Sequence, residues 1–372
     1  MHLTRRVLLA SRGDKNTTKS IPTLLEFLSL QRRLEDLQSH QGFGDFLGLT
    51  VAPSENLGTS NSSSFNNVSK GDLRWEETTD VPPHHPALVY RYQLPKTLQY
   101  LQLDNDEIRN DDNPAIRLST YMSILDEVST WSMILNTFPH PRPGVSVTMS
   151  TEWGPAAYTK LMNSSIEAVD ITTTVTKQGQ TMGFLRSEVR DPVTSQVICH
   201  VQHTKFLDPG RWFRMLLTPQ ARWGLNILSS HVFPMLKKNE KVKDQEEDEI
   251  ERAKRIMDSF TITGPSTATF QVRPQHTNGF GGLHGGVQAI LMENLGHKVV
   301  KQQISNLTRL RCKRILASYQ SSASKKVKLQ AYVLQSQPTE RTITLRVVVE
   351  RDSSGPSVSV SEGILEFEYE TR

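Results

Sequence analysis

Twice in this chain a long run at helical spacing is followed by four short runs of strand-like composition. That order restricts the fold to an α+β class built on antiparallel sheets. In the first unit a helix is expected over 114–136, with Pro114 in its first turn and Phe138-Pro139 past its end. Strands are expected over 145–151, 165–176, 181–190 and 197–206. All are rich in Val, Ile and Thr and are punctuated by Gly179, Asp191-Pro192 and Pro209-Gly210. In the second unit a strand over 267–272 leads through a glycine-rich loop into a helix over 285–305. Strands over 315–321, 326–334, 342–350 and 358–369 follow. The repeat is too long for a solenoid, so it reads as a duplication whose halves pair as a built-in dimer.

Length agrees with two units, since 372 residues exceed one ordinary domain. The organisation expected is a possible transit peptide over 1–20, a helix and flexible linker over 21–72, a first domain over 73–207, a connecting helical segment over 208–258 and a second domain over 259–372. The first thirteen residues carry Arg5, Arg6 and Arg12 and no acid. That suits a mitochondrial transit peptide, with a plastid address or an ordinary start in the cytoplasm as the other readings. Residues 21–39 place Leu24, Leu25, Leu28, Leu34 and Leu37 at helical spacing. A net charge of +4 is too small and dispersed to argue for nucleic acid. Cys199 and Cys312 are the two cysteines, far apart and without metal spacing, so neither a disulfide framework nor a metal is expected. His200, His203 and His276 read as structural or exposed for the same lack of a second ligand. No apolar run approaches the roughly 18–20 residues of a membrane-spanning helix.

The chemistry concentrates in the segment from Asn278 to Gly286, NGFGGLHGG, which feeds directly into the second long helix. Glycines there let a ligand approach the backbone. The first N–H groups of a helix lack intrahelical partners and lie at the positive end of its dipole. Gly285 and Gly286 therefore offer donors to a carbonyl oxygen that gains negative charge. Glu293 stands downstream among Val287, Ala289, Ile290 and Leu291, where a partly desolvated carboxylate can act as base or nucleophile. The plainer readings are a loop whose glycines only turn the chain and a buried acid satisfied by backbone donors.

The pattern N-x5-H-G-G-x6-E/D entering the long helix of an α+β unit resembles the hotdog-fold acyl-CoA thioesterases. Tyr319-Gln320-Ser321-Ser322-Ala323 is similar to a strand end of that family, where a Ser often stands near the attacking water. In the first unit Asp126-Glu127, the segment GVSVTMSTEWGPA and His203-Thr204-Lys205 carry the same resemblance. The resemblance covers about 73–207 and 260–370. It implies two tandem hotdog domains paired as an intramolecular pseudo-dimer, an acyl-CoA substrate and no cofactor. A further homodimer of the whole chain is compatible with it.

The two units do not match evenly. Counting back nine residues from Asp126 reaches Arg117-Leu118-Ser119, where the second unit has His284-Gly285-Gly286. Gly285 and Glu293 are eight residues apart on one helix, about 12 Å along the axis, too far to serve one carbonyl and its water together. The site is therefore expected to be composite. Gly285 N–H, helped by Asn278, polarises the carbonyl; Asp126 activates water or attacks; His284 shapes the loop and orients carbonyl or water. Glu293 then faces the half without glycines, or regains the catalytic role if units pair between chains. Ser321 is secondary, and Gly286 adds a backbone donor. Arg311, Lys313 and Arg314, clustered before a strand with Arg309, read either as a solvated edge or as a site for the phosphates of CoA. The leading expectation is hydrolysis of a fatty or aryl acyl-CoA. A non-catalytic acyl-CoA-binding or structural module and an enoyl-thioester hydratase or dehydratase are the alternatives.

Overall fold

The computed structural model describes residues 43–47, 49, 73–77, 86–102, 116–137, 142, 144–154, 167–207, 253, 255–278, 281–352 and 356–372. The expected transit peptide, the helix over 21–39, the linker core and nearly all of the connecting segment lie outside the described residues. So do Pro114 and, within the glycine-rich loop, Gly279 and Phe280.

The described chain opens with a one-turn helix α1 (Phe43–Phe46) and strands β1 (Leu73–Glu77) and β2 (Pro86–Gln93). Helix α2 (Leu118–Asn136) follows, then β3 (Val145–Trp153), β4 (Ala168–Gln178), β5 (Met182–Arg190) and β6 (Val197–Phe206). Next come β7 (Phe260–Gly264), β8 (Thr267–Gln271) and helix α3 (Gly285–Gln303). The chain ends with β9 (Leu307–Tyr319), β10 (Lys326–Gln337), β11 (Thr342–Arg351) and β12 (Ser359–Thr371).

All twelve strands join one sheet in the order β1-β2-β4-β5-β6-β3-β9-β12-β11-β10-β8-β7. Read outward from the centre, both directions give one sequence of connections, with β9 to β12 in the places of β3 to β6. The seam is the antiparallel pair β3–β9, with Thr148 opposite Ser318 and Glu152 opposite Arg314. Helices α2 and α3 pack on this sheet and against each other, one from each half.

Packing between sheet and helix explains why α2 is buried almost all round, from Leu118 through Leu135. Its large side chains Tyr121, Ile124, Leu125, Val128 and Trp131 fill the core, each contributing about 1.5–3 kcal/mol. The buried serines let the helices approach, and Ser123 Oγ–H satisfies itself on the Ser119 carbonyl, 2.7 Å away. Ser123 is also the residue against which Gly286 of α3 is seated.

Three sequence expectations change. Helix α2 starts at Leu118, not at 114, because Arg117 is extended (ψ 157) and its side chain crosses to Asn294. Strand β9 starts at Leu307, eight residues earlier than expected, and so takes in the basic run. Strands β1, β2 and β7, not singled out in the sequence, extend both edges of the sheet.

Candidate active site between the two long helices

Helix α3 begins at Gly285 because His284 caps it. The backbone there is extended and the ring Nδ1 accepts the Gly286 N–H at 2.9 Å. The other ring nitrogen, Nε2, donates to Glu127 Oε1 of α2 at 2.6 Å. This one side chain caps its own helix and ties it to the opposite one. The loop before it is closed by Asn278, whose Oδ1 accepts the Gly282 N–H at 3.2 Å and whose backbone pairs with Gly282. This commits the side-chain oxygen of Asn278 to the turn; the donor that the expected contact with a carbonyl requires is the amide nitrogen of the same side chain.

Asp126 of α2 lies directly against this helix start. A Cβ placed on Gly285 would stand 2.9 Å from Asp126 Oδ2 and 3.2 Å from Tyr319 Cζ. Only glycine leaves room there. Among the described residues the Gly285 N–H has no acceptor and Asp126 Oδ2 accepts no hydrogen bond. A donor without an acceptor at the positive end of a helix and a carboxylate oxygen that accepts no hydrogen bond, with His284 Nδ1 3.8 Å away from it, therefore share one gap. Asp126 is only 6% exposed, and Gly285 is half-buried.

The other oxygen, Asp126 Oδ1, is held from the sheet. Ser146 Oγ–H donates to it at 2.7 Å, Lys205 Nζ stands at 3.3 Å and His203 Nε2 at 3.7 Å. Burial pushes the Asp126 carboxyl up, but the Lys205 ammonium, His284, His203 and the Ser146 bond outweigh it and hold the group well below the ordinary carboxylate range. His203 is pushed down to about 3 by burial and by Lys205, against the pull of Asp126, so it is neutral. For His284 burial acts downward, while the bond and charge of Glu127 and the charge of Asp126 carry it above its ordinary value. The Tyr319 hydroxyl, raised by burial and by Asp126, stays protonated and donates to the Gly285 carbonyl at 3.2 Å.

The second acid occupies a related place with a different outcome. Glu293 of α3 faces the start of α2, and its Oε2 accepts the Ser119 N–H at 2.9 Å. Its Oε1 stands 3.5 Å from His297 Nε2. Arg117, at the cap position of α2, donates to Asn294 just as His284 donates to Glu127. Burial raises Glu293, and His297, Arg117 and the Ser119 bond together bring it below its ordinary value.

The structure thus brings together Asp126, Gly285, Gly286 and His284, and sets Glu293 in the other half-site. Ser321 does not join them: its hydroxyl donates to the Ser359 carbonyl at 2.7 Å, and Tyr319 is the β9 residue that reaches Gly285. Arg309, Arg311, Lys313 and Arg314 lie along β9 and meet Glu370, Glu368, Glu366 and Glu152. The cations expected to hold phosphates are matched with carboxylates of neighbouring strands, and β9 lies at the centre of the sheet and not at an edge. Ser146, Lys205, Glu127 and Tyr319 were not among the expected site residues. Lys205 carried a signal, because it alternates with Cys199, Val201 and His203 on the inward face of β6. Among the described residues no cluster of His, Cys, Asp and Glu could hold a metal ion, and no helix is long and apolar enough to cross a membrane.

No protein-family model and no curated protein matches the chain. Solved structures similar to it are hotdog-fold proteins and thioesterases. A 12:0-ACP thioesterase from Umbellularia californica is 11% identical with a TM-score of 0.47, over 76% of this chain and 94% of that one. An acyl-CoA thioesterase II from Mycobacterium marinum is 8% identical with a TM-score of 0.43, over 81% and 96%. A protein of unknown function with a hot dog fold from Alicyclobacillus acidocaldarius is 7% identical with a TM-score of 0.42, over 76% and 94%. Identities this low carry no residue roles across, and the assignment below rests on the geometry.

Proposed function

We propose that this chain is an acyl-CoA thioesterase whose working site lies between α2 and α3. The observation that carries the reading is the gap between Asp126 Oδ2 and the unused Gly285 N–H, contributed by opposite halves of the sheet. A thioester carbonyl seated there would direct its oxygen to the Gly285 N–H, where the helix dipole stabilises the charge that forms. Asp126 Oδ2 takes a proton from water as the water oxygen attacks the carbonyl carbon. The C–S bond then breaks, and the departing sulfur is protonated to give CoA and the free acid. Ionised and fixed by its other oxygen, Asp126 keeps its free oxygen turned toward the gap.

On this reading the halves are tandem hotdog domains, over 73–207 and 259–372, paired as an intramolecular pseudo-dimer. The mirrored strand order and the twin crossings His284–Glu127 and Arg117–Asn294 support it. The basic N-terminus would direct the chain to mitochondria. No cofactor is required by the chemistry.

Thiol release from a panel of fatty and aryl acyl-CoAs tests the reading, with wild type beside Asp126→Asn. The expected result is turnover by the wild type that falls at least about a hundredfold in the variant while the fold survives. Wild-type protein that binds acyl-CoA and releases no thiol would replace this reading with a binding module. Loss of an enoyl-CoA chromophore without thiol release would replace it with a hydratase.

A further inference from the structure

Lysine is the one residue type on the inward row of β6 that has no place in a core. That row runs Cys199, Val201, His203, Lys205, and Lys205 is 1% exposed. An unpaired ammonium at such a position costs several kcal/mol, so its neighbours indicate what it is there for. Lys205 Nζ stands 2.8 Å from Thr130 Oγ1, 3.3 Å from Ser146 Oγ and 3.3 Å from Asp126 Oδ1. Each of these partners leads back to one residue. Ser146 Oγ–H donates to Asp126 Oδ1 at 2.7 Å, and Thr130 Oγ1–H donates to the Asp126 carbonyl at 2.9 Å. The ammonium holds Asp126 at Oδ1, directly and through the Ser146 hydroxyl, and at its backbone carbonyl, directly at 3.5 Å and through the Thr130 hydroxyl.

The other half-site supplies an internal comparison. Four residues beyond the acid, α2 carries Thr130 and α3 carries His297. Thr130 is met by Lys205 of β6, while His297 is met edge-on by the ring of Phe367 of β12, centroids 5.1 Å apart. A cation stands behind the acid that faces glycine, and an aromatic ring stands in the corresponding place behind the acid that faces Ser119. A lysine serving only to join helix to sheet would have no reason to follow the glycines.

We propose that Lys205 is a positioning residue for the hydrolytic reaction, holding Asp126 ionised by its Oδ1 so that Oδ2 alone is presented to the gap beside Gly285. The inference rests on the thioesterase reading. The charged and titratable groups facing Asp126 are Lys205 and His203 from β6, His284 from α3, Tyr319 from β9 and the neighbouring Glu127. Of these, His203 is neutral and Tyr319 is uncharged, which leaves the Lys205 ammonium and His284, itself carried above its ordinary value, as the cations beside the carboxyl. Burial is the largest single influence on Asp126 and acts to neutralise the carboxyl, and Lys205 is the largest of those that oppose it.

The test is the pH dependence of kcat and KM for wild type, Lys205→Met and Lys205→Arg on one acyl-CoA substrate. Urea unfolding midpoints are recorded across the same pH range. In wild type no acid limb from Asp126 is expected above about pH 4. Lys205→Met should shift that limb upward by about 1–3 units, so that kcat falls toward low pH where the wild-type value is still flat, with recovery at higher pH and KM within about threefold. Lys205→Arg keeps the cation and should keep the limb in its wild-type place, even with a lower plateau. A Lys205→Met profile reduced equally at every pH, with the limb unmoved, would overturn the proposal and leave Lys205 a structural residue. If Lys205→Met does not fold, a limb displaced upward in Lys205→Arg overturns it equally. Wild-type protein without turnover at any pH would sink the thioesterase reading itself. The coupling would then be judged from the midpoints alone: a carboxyl held low stabilises the fold above about pH 4, and Lys205→Met should lose that increment.

Discussion

Gly285 and Gly286 are adjacent and glycine for different reasons, so the same substitution should fail in opposite ways at the two positions. In Gly285→Ala the new methyl would meet Asp126 Oδ2 at 2.9 Å and the Tyr319 ring at 3.2 Å. Comfortable non-bonded separations are about 3.5–4 Å, so the carboxylate must retreat by roughly half an ångström or more from the gap. A misplacement of about 1 Å can cost a hundredfold in rate, which puts the expected fall in kcat/KM between about tenfold and a hundredfold. Stability should not fall with it, since alanine is favoured over glycine in a helix by about 0.5–1 kcal/mol. In Gly286→Ala the methyl would meet Ser123 Cβ at 2.6 Å and its Cα at 2.7 Å. Backbone cannot swing aside as a side chain does, so the helices must part, at about 1–3 kcal/mol of stability. Thiol release and urea unfolding, run side by side, read both effects. Wild-type kcat/KM in Gly285→Ala would refute the placement of the chemistry in this gap. So would a loss of stability in Gly285→Ala equal to that in Gly286→Ala.

Glu293→Gln should leave thiol release within about twofold but lower stability at neutral pH by about 1–3 kcal/mol, since the acceptor of the Ser119 N–H loses its charge. Because Glu293 is held below its ordinary value, its contribution is present above about pH 4 and is lost as the pH falls through the lower folded value. The variant's unfolding midpoint should therefore vary less between about pH 5 and pH 3 than the wild type's. His284→Ala removes both the helix cap and the Glu127 tie, and a stability loss of about 0.5–2 kcal/mol from the cap alone is expected, together with a lower kcat; unchanged kcat would separate the loop from catalysis. Replacing Arg311, Lys313 and Arg314 together by Gln should leave KM for acyl-CoA within about twofold and cost under roughly 1 kcal/mol per pair. A tenfold rise in KM would return the phosphate-binding reading to this strand.

What the sequence revealed and what it hid follow from how far apart the interacting residues lie in the chain. The glycine loop and both helix acids belong to continuous segments and were legible, whereas the capping role of His284 was not. The expectation of a composite site came from distance, since Gly285 and an acid on the same helix are too far apart to share a carbonyl, and from the resemblance to paired units. Ser146, Lys205 and Tyr319 reach Asp126 only because β3, β6 and β9 are neighbours at the seam, a pairing no local pattern records. The basic first half of β9 looked like a loop because its charges interrupt the apolar alternation. Its strand character depends on the glutamates of β12, nearly sixty residues on, with Glu368 opposite Arg311 and Glu370 opposite Arg309. Pro114 misplaced the start of α2 because the true cap position, Arg117, makes no local capping bond and turns instead to Asn294.

The two half-sites differ by less than their sequences suggest, and on the proposed reading the difference decides which accepts a substrate. Both helix starts are fastened to the facing helix by the cap residue, His284 to Glu127 and Arg117 to Asn294, so the frames are alike. In one frame the second N–H of the helix, Gly286, is taken by the cap itself, and the acid opposite is an aspartate that stops short of the backbone. In the other the cap is an arginine, which has no acceptor to offer, and the second N–H, Ser119, is left for the facing acid. Glutamate, longer by one methylene, reaches it. Its carboxylate then lies against the start of the helix, one N–H beyond the one that corresponds to Gly285, and a buried charged hydrogen bond holds it there. Shortening the acid alone would not convert this half-site into the other, because Leu118 stands where Gly285 stands and Phe367 where Lys205 stands. On the proposed reading, the described residues therefore present one gap beside Asp126 and a counterpart closed by the bond between Glu293 and Ser119.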